Sequence, residues 1–142
     1  MKKNPKILVF TGNRAEYGLL RHLIKSIDSS NNLKLKLFVS GSHISKRFGN
    51  TISEIRDDNI KIDKLIPTSL DNIPVPSMTT LIAEIISEMG QALEEDKPNL
   101  CILLGDRYET LGAAIACHLN KIPIAHLHGG EKTLGAIDDK LR

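Results

Sequence analysis

Residues 100–142, LCILLGDRYETLGAAIACHLNKIPIAHLHGGEKTLGAIDDKLR, decide the fold of this chain. An apolar run at 100–104 ends in Gly-Asp-Arg, and a second apolar run at 122–125 ends in a cluster of imidazole and carboxylate side chains. Between them, residues 108–120 are rich in small side chains and have the spacing of a helix. Strand, helix and strand in this order predict two parallel strands whose carboxyl ends carry the polar groups, as in the sites of α/β proteins.

The rest of the chain repeats this alternation. An apolar run without alternation at 6–10 predicts a strand covered on both faces, and residues 33–39 predict a second strand. The weaker run at 60–66, in which Lys and Asp interrupt the apolar residues, predicts an edge strand. Helical spacing is clearest at 78–96, and mixed at 44–59, where Phe48, Ile52 and Ile55 are the apolar points. A further helix follows the first strand, with one apolar side formed by Leu19, Leu20, Leu23, Ile24 and Ile27. We predict one α/β domain over residues 1–142, a Rossmann-like, three-layer parallel sheet with helices on both faces.

The composition excludes several classes of function. A formal net charge of only +2, with 4% aromatic residues and no Trp, gives no argument for a nucleic-acid or membrane partner. No apolar run is long enough for a bilayer span or a signal peptide, so the expected location is the cytoplasm. Cys101 and Cys117 are predicted to be buried apolar side chains rather than a disulfide or metal ligands. The sequence leaves open whether the chain forms a homo-oligomer.

Lys6, Lys61 and Asn99 stand at the starts of predicted strands, without Gly or His. A larger set of charged and imidazole side chains follows the strand ends. They are Arg14, His43, Asp106, Arg107, His126, His128 and Glu131. Parallel strands all end at the same edge, so we expect one rim to collect these groups. Clustered carboxylates shift one another's pKa values and suit general acid and base catalysis on a sugar, with Asp138 and Asp139 as further candidates. His43, taken alone, is predicted to be a solvated loop histidine.

A metal site is the alternative interpretation of the same rim. His126 and His128 are two residues apart, so on a strand they would point the same way and could share an ion with Glu131 or an aspartate. No third His or Cys lies nearby in the sequence. The metal-free carboxylate site is therefore the favoured prediction.

Four motifs resemble the hydrolysing UDP-N-acetylglucosamine 2-epimerases. They are GNRAEYGLL at 12–20, GSHIS with the following Phe48-Gly49, GDRYE at 105–109, and HLHGGE with GAIDDKLR at 126–142. Asn13 is a departure, since the family usually has Thr there. The resemblance covers essentially the whole chain but only the amino-terminal half of the family's length. It implies a GT-B-like fold of two Rossmann-like domains, with the site in the cleft between them and the second domain absent here.

The resemblance also implies the chemistry. UDP leaves by elimination across C1–C2, and the resulting 2-acetamidoglucal is hydrated to N-acetylmannosamine for sialic or legionaminic acid synthesis, with no nicotinamide and no required metal. By motif position the catalytic carboxylates are Asp106, Glu131 and Asp139, and the order of their roles is undecided. The positions expected to bind the nucleotide-sugar substrate are Arg14, His43, Arg107, His128, Asp138 and Arg142.

Three points stay open at the level of sequence. The sugar is not fixed, because a diacetamido-trideoxy hexose or a GDP-linked sugar would need similar groups on this side. An isolated half leaves the cleft open to water, so we expect the 142-residue chain to be inactive alone. The alternatives are an inert fragment or assembly module, and a metal-dependent hydrolase.

Overall fold

The structure is a computed structural model that describes residues 4–132 and residue 134. Its centre is a five-stranded sheet in the order β3-β2-β1-β4-β5, in which every neighbouring pair is parallel. The strands are β1 (Lys6–Thr11), β2 (Lys34–Ser40), β3 (Lys64–Ile66), β4 (Leu100–Leu104) and β5 (Ile124–Leu127). The predicted α/β class and the edge position of β3 are confirmed, although β3 has only three residues.

Four helices connect the strands: α1 (Arg14–Asp28), α2 (Ile52–Asp57), α3 (Met78–Glu95) and α4 (Tyr108–Leu119). Single 3₁₀ turns lie at Gly41–His43 and Ser69–Asp71. Two of the long helices begin at side-chain caps, because Asn13 Oδ1 accepts a bond of 3.0 Å from the Glu16 N–H, and Ser77 Oγ accepts one of 3.2 Å from the Thr80 N–H. Such caps satisfy N–H groups that have no partner inside the helix.

Alternate side chains of the strands build two separate cores. Leu8 and Phe10 of β1 pack with Met89 of α3 on one face of the sheet. Ile7 and Val9, which point the other way, pack with the α1 side chains Leu20 and Ile24. The alternation follows from the two-residue period of a strand, and it confirms the three-layer arrangement with helices on both faces.

Some predicted helical positions are wrong. Residues 44–51 are not in an α-helix, since Gly49 and Asn50 both have positive φ, and Phe48 is 52% exposed. Leu19 is 72% exposed, because the buried side of α1 runs through positions 17, 20, 24 and 27.

The two cysteines behave as expected: Cys101 and Cys117 are buried free thiols within one core. The hydrogen bond with the neighbouring Cys117 thiol, together with burial, raises the pKa of the Cys101 thiol. Within residues 4–132 and 134, none of the helices has the length and apolar character of a membrane span.

Candidate active site at the carboxyl edge of the sheet

The candidate site lies where the direction of the chain connections reverses. β1 and β4 are neighbours in the sheet, but α1, which follows β1, packs on one face and α4, which follows β4, packs on the other. The loops after these two strands therefore diverge and leave a crevice at the carboxyl edge. A cavity of about 350 Å³ occupies it, lined by Asn13, Ala15, Glu16, Leu19, Leu104, Gly105, Asp106, Arg107, His128 and Glu131. We call it the acidic cavity.

Four predicted site residues line this cavity together: Asp106, Arg107, His128 and Glu131. They come from the loops after β4 and β5. His128 has a φ of 58°, and its Nδ1 lies 2.9 Å from Glu131 Oε1, so the turn after β5 pairs an imidazole with a carboxylate. The sheet edge thus brings together groups that stand 25 positions apart in the sequence.

His126 does not face the cavity with His128. Its Nε2 lies 2.6 Å from the carbonyl oxygen of Gly105, which ties β5 to the loop after β4. A Cβ at Gly129 would lie 2.7 Å from the His126 ring, so the glycine lets the turn close over it. β5 ends at Leu127, and the expectation that the two histidines point the same way along one strand is wrong.

The described residues also contain no group of three or more His, Cys, Asp or Glu side chains placed to hold a metal ion. Three residues of the predicted site, Asp138, Asp139 and Arg142, lie outside the part of the chain that the structure describes.

Arg14 lies apart from the acidic cavity. It is the first residue of α1, its side chain is 72% exposed, and its Nε lies 2.6 Å from Glu54 Oε1 of α2. Its neighbours Asn13 and Ala15 line the cavity, with Asp106 and Glu131, but Arg14 does not. In this arrangement Arg14 bridges two helices, and its expected role in binding the substrate stays a prediction.

His43 is fully buried, so the prediction of a solvated loop histidine is wrong. Gly41, with a φ of +58°, turns the chain so that the ring enters the protein. There Nε2 lies 3.0 Å from Thr11 Oγ1 and Nδ1 lies 2.9 Å from Thr51 Oγ1. Burial lowers the pKa of His43 to about 4, which keeps the ring neutral near pH 7. Its expected contact with the substrate stays a prediction.

Two buried carboxyl groups at the acidic cavity were not predicted from the sequence. One is Glu16, which is 7% exposed and whose Oε2 accepts a bond of 2.8 Å from the Gly12 N–H. Burial raises the pKa of Glu16 to about 7. The hydrogen bond from Gly12 opposes this shift, and the negative charge of Glu109 adds to it. The signal was present in the sequence, because Asn13-x-x-Glu16 has the spacing of a capping box.

The other missed residue is Glu109, in the first turn of α4. It is 0% exposed, and its carboxylate accepts two bonds from Arg107, of 3.1 Å to Nε and 3.3 Å to Nη2. An acidic residue in the first turn of a helix is ordinarily a solvated partner of the helix dipole. Nothing in its local sequence pattern therefore predicted burial.

Two further cavities differ from the acidic one in their lining residues. A depression of about 690 Å³ over the loops after β2 and β3 is lined by Lys46, Arg47, Asp71, Ile73, Pro74 and Val75. It lacks the paired carboxylate and imidazole, so we place the site in the smaller acidic cavity. A mainly apolar cavity of about 220 Å³, lined by Ser42, Phe48, Leu70, Val75, Pro76, Met78, Leu81, Arg107 and Tyr108, shares Arg107 with the acidic one. We call it the apolar cavity.

Known proteins match this chain in sequence and in fold. A family model described as UDP-N-acetylglucosamine 2-epimerase matches residues 25–142. The chain is 41% identical over 138 residues to a UDP-N,N'-diacetylbacillosamine 2-epimerase (hydrolyzing) of Legionella pneumophila, a match that covers 96% of this chain and 36% of the relative. It is 42% identical over 137 residues to a GDP/UDP-N,N'-diacetylbacillosamine 2-epimerase (hydrolyzing) of Campylobacter jejuni, with 96% and 35% covered.

Solved structures agree on the fold. The UDP-GlcNAc 2-epimerase of Neisseria meningitidis, solved bound to UDP-GlcNAc, superimposes with a TM-score of 0.80 at 24% identity, covering 96% of this chain and 37% of that one. The expected GT-B-like relationship of the fold is thereby confirmed. The chain spans about a third of the length of the curated relatives it matches, less than the half expected from the resemblance.

Proposed function

The chain belongs to the UDP-N-acetylglucosamine 2-epimerase family, and on this basis we propose that it is the amino-terminal domain of a hydrolysing nucleotide-sugar 2-epimerase. The reaction converts a UDP-linked 2-acetamido sugar and water into UDP and the free sugar with inverted C2. With UDP-N-acetylglucosamine the product is N-acetylmannosamine. The observation that carries this proposal is the convergence of Asp106, Arg107, His128 and Glu131 on one cavity at the edge of the sheet.

The first step needs a base that removes the C2 proton and groups that stabilise the negative charge of the departing UDP. A base removes the C2 proton, the C1–O bond breaks, and UDP departs with the electron pair, which leaves a 2-acetamidoglucal. Water then adds its oxygen at C1 while a proton returns to the opposite face of C2. Two carboxyl groups at one cavity suit such proton transfers, and we assign them to Asp106 and Glu131, with Asp139 as the third candidate. His128, 2.9 Å from Glu131, fixes the direction of that carboxylate.

The departing diphosphate needs positive charge and N–H donors. Arg107 supplies a guanidinium at the wall of the acidic cavity, and α1 begins at the same cavity with Asn13 and Ala15. Helix N-termini attract anions through their free N–H groups and the helix dipole. Arg107 and the start of α1 therefore stabilise negative charge as it develops on the leaving group.

The acidic cavity is open on one side in this chain, and we propose that a second domain supplies the other wall. Closure would exclude water and align the substrate, which elimination requires. The chain by itself is then expected to bind part of the substrate without turnover. An inert assembly module predicts the same inactivity but no substrate binding at Asp106 and Glu131.

The apolar cavity bears on which sugar is used. It opens beside Arg107 and is lined mainly by apolar side chains, among them Val75, Met78 and Leu81. A 2,4-diacetamido-2,4,6-trideoxy hexose carries a second acetamido methyl and a C6 methyl where N-acetylglucosamine has hydroxyl groups. Methyl groups gain about 0.8 kcal/mol each on burial, whereas hydroxyls lose hydrogen bonds to water there. We therefore propose the diacetamido sugar as the preferred substrate.

The test uses the full-length protein that carries these residues, incubated in D₂O with UDP-N-acetylglucosamine or with the UDP-linked diacetamido sugar. We expect UDP release, inverted C2 in the product with one deuterium at that carbon, and a higher kcat/KM for the diacetamido sugar. Release of UDP with no deuterium at C2 would contradict the elimination. Loss of activity on chelation would favour the metal-dependent hydrolase, and a preference for UDP-N-acetylglucosamine would contradict the assignment of the apolar cavity.

A further inference from the structure

Glu109 is a carboxylate around which two glycine-containing loops are closely packed. A Cβ at Gly12, after β1, would lie 3.0 Å from Glu109 Cβ, and a Cβ at Gly41, after β2, would lie 2.7 Å from Glu109 Oε1. Both distances are shorter than ordinary van der Waals contact, so the two loops pack this closely against Glu109 because they lack a side chain there. The loops after β1 and β2 and the start of α4 therefore meet at this one carboxylate.

The burial of this charge needs compensation. A carboxylate removed from water costs several kcal/mol unless it is paired and hydrogen-bonded. Arg107 provides the pair through Nε and Nη2, 3.1 Å and 3.3 Å from the two carboxylate oxygens. This two-point contact fixes the plane of the guanidinium as well as its position, which a single bond does not. Burial would lower the pKa of Arg107, but the bonds and charge of Glu109 outweigh it and raise the pKa.

The other side of Arg107 faces the solvent. Its side chain is 48% exposed, and it lines both the acidic and the apolar cavities. A guanidinium has five N–H donors, so the pair with Glu109 uses two of them and the group keeps donors for a bound anion. Glu109 cannot touch a ligand itself, because it is 0% exposed and lies behind Arg107.

We propose that Glu109 is a positioning residue that anchors the Arg107 guanidinium at the junction of the acidic and apolar cavities, in the orientation that meets the leaving diphosphate. The inference rests on the proposed function for the identity of that anion. The anchoring itself is a property of the free protein. It can therefore be tested without substrate.

The pKa of Glu16 depends on the charge of Glu109. The charge of Glu109 raises the pKa of Glu16 and that of Arg107 lowers it, on top of the larger effect of burial. The other charged or titratable side chains lining the same cavity are Asp106, His128 and Glu131. If Glu109 is an anion held between Glu16 and Arg107, its neutralisation lowers the midpoint of the Glu16 titration. Water admitted to Glu16 by a loss of packing would lower the same midpoint. The Arg107 Nε–H signal, which depends on the bond to Glu109, is therefore followed together with the Glu16 titration.

The first experiment follows the free chain by NMR in the wild type and in Glu109→Gln, which keeps the size of the side chain and removes its charge. Glu94→Gln, an exposed change on α3, is the matched control. We expect a Glu16 carboxyl midpoint near 7 in the wild type and the control and a lower one in Glu109→Gln, with loss of the protected Arg107 Nε–Hε signal. An unchanged Glu16 midpoint together with an unchanged Arg107 signal would overturn the proposal.

The second experiment uses Arg107→Lys, which keeps the positive charge on a half-exposed side chain and so spares the core if Glu109→Gln does not fold. Lys presents one ammonium and cannot form the two-point contact. In the full-length protein we expect kcat to fall about tenfold or more while KM changes less. The reason is that misplacement of a catalytic cation raises the free energy of the transition state more than that of the bound substrate. A wild-type kcat in Arg107→Lys would overturn the anchoring role, whereas an inactive wild type with the expected NMR result would overturn only the proposed function.

Discussion

The N–H of Gly12 donates a hydrogen bond of 2.8 Å to Glu16 Oε2. The contact joins the residue after β1 to the first turn of α1 and places a carboxyl group in the wall of the acidic cavity. Burial of this group raises its pKa to about 7, so the native protein holds a proton there that the unfolded chain releases near pH 4.5. The contribution of this contact at the start of α1 to the free energy of unfolding therefore depends on pH.

The first prediction concerns Glu16→Gln. Between about pH 4.5 and 7 the native state binds more protons at Glu16 than the unfolded state, so this group makes the free energy of unfolding fall as pH rises, by about 1–3 kcal/mol. His43 acts with the opposite sign, because its pKa of about 4 makes the unfolded state the better proton binder. The difference between Glu16→Gln and wild type isolates Glu16.

Urea unfolding at pH 5 and pH 8 measures that difference. Relative to wild type, Glu16→Gln is expected to gain stability at pH 8 compared with pH 5, whereas the exposed Glu94→Gln change leaves the pH dependence as it was. Parallel pH profiles for Glu16→Gln and wild type would show that the buried carboxyl titrates at its ordinary pKa.

The second prediction compares two glycines with positive φ. A Cβ at Gly41 would lie 2.6 Å from the Gly12 carbonyl oxygen, which is backbone and cannot move aside, whereas a Cβ at Gly49 would meet nothing within 4 Å. Their φ values are +58° and +89°, so both alanine variants carry backbone strain of about 1–2 kcal/mol. Gly41→Ala adds overlap and is expected to cost about 3 kcal/mol or more in urea unfolding. Equal losses at the two positions would contradict the packing around Glu109.

The third prediction concerns the contact between α3 and α4. A Cβ at Gly112 would lie 2.8 Å from Ile85 Cγ2, and we expect Gly112→Ala to destabilise the protein by about 1–3 kcal/mol. Gly90 of α3 is the matched control, since its Cβ would lie 3.9 Å from an Asn120 amide nitrogen, which is an ordinary van der Waals contact. Gly90→Ala is expected to be neutral or to stabilise by up to about 1 kcal/mol through helix propensity. Thermal unfolding of both variants measures these changes in stability. A stabilising effect of Gly112→Ala would show that α3 and α4 lie further apart than in this structure.

The fourth prediction concerns Asp58, which connects the end of α2 to α1. Its side chain accepts bonds of 2.6 Å from Tyr17 Oη and 2.7 Å from Lys25 Nζ, and it also pairs with Arg21. The Arg21 bond, with those of Lys25 and Tyr17, holds the pKa of Asp58 well below its usual range. Its stabilising effect is therefore complete above pH 4 and is lost as pH falls below that value.

Asp58→Asn is expected to lower the free energy of unfolding by about 1–2 kcal/mol at pH 7 and to lose this deficit toward pH 2. The neighbouring exposed change Asp57→Asn serves as the control in the same urea titrations. A deficit that is independent of pH would mean that the lost packing, rather than the charge of Asp58, is responsible.

The sequence predicted the elements whose signals are local. The bounds of β4 were found because an apolar run stops at Gly105, and α3 was found because apolar residues from Leu81 onward recur at the helical period. Residues 44–51 were assigned wrongly, since scattered apolar side chains imitated a helix where Gly49 and Asn50 turn the chain. Such a region is decided by its contacts with the rest of the fold, and periodicity does not report them.

The site was predictable in outline and not in its supporting residues. Asp106, Arg107, His128 and Glu131 could be placed on one rim, because parallel topology alone collects strand ends. The burial of His43 and Glu109 depends on the close contact between Gly12, after β1, and Gly41, after β2. This contact joins two strands that are distant in the sequence, so a local sequence pattern does not predict it.

Asp106 provides the most direct test of the proposed active site. In the full-length protein with the preferred nucleotide sugar, Asp106→Asn keeps the shape of the side chain and removes its ability to act as a base. We expect UDP release and deuterium incorporation at C2 to fall together by about 100-fold or more, with Asp57→Asn at the wild-type rate. A wild-type rate of UDP release in Asp106→Asn would contradict the assignment of this edge of the sheet as the active site.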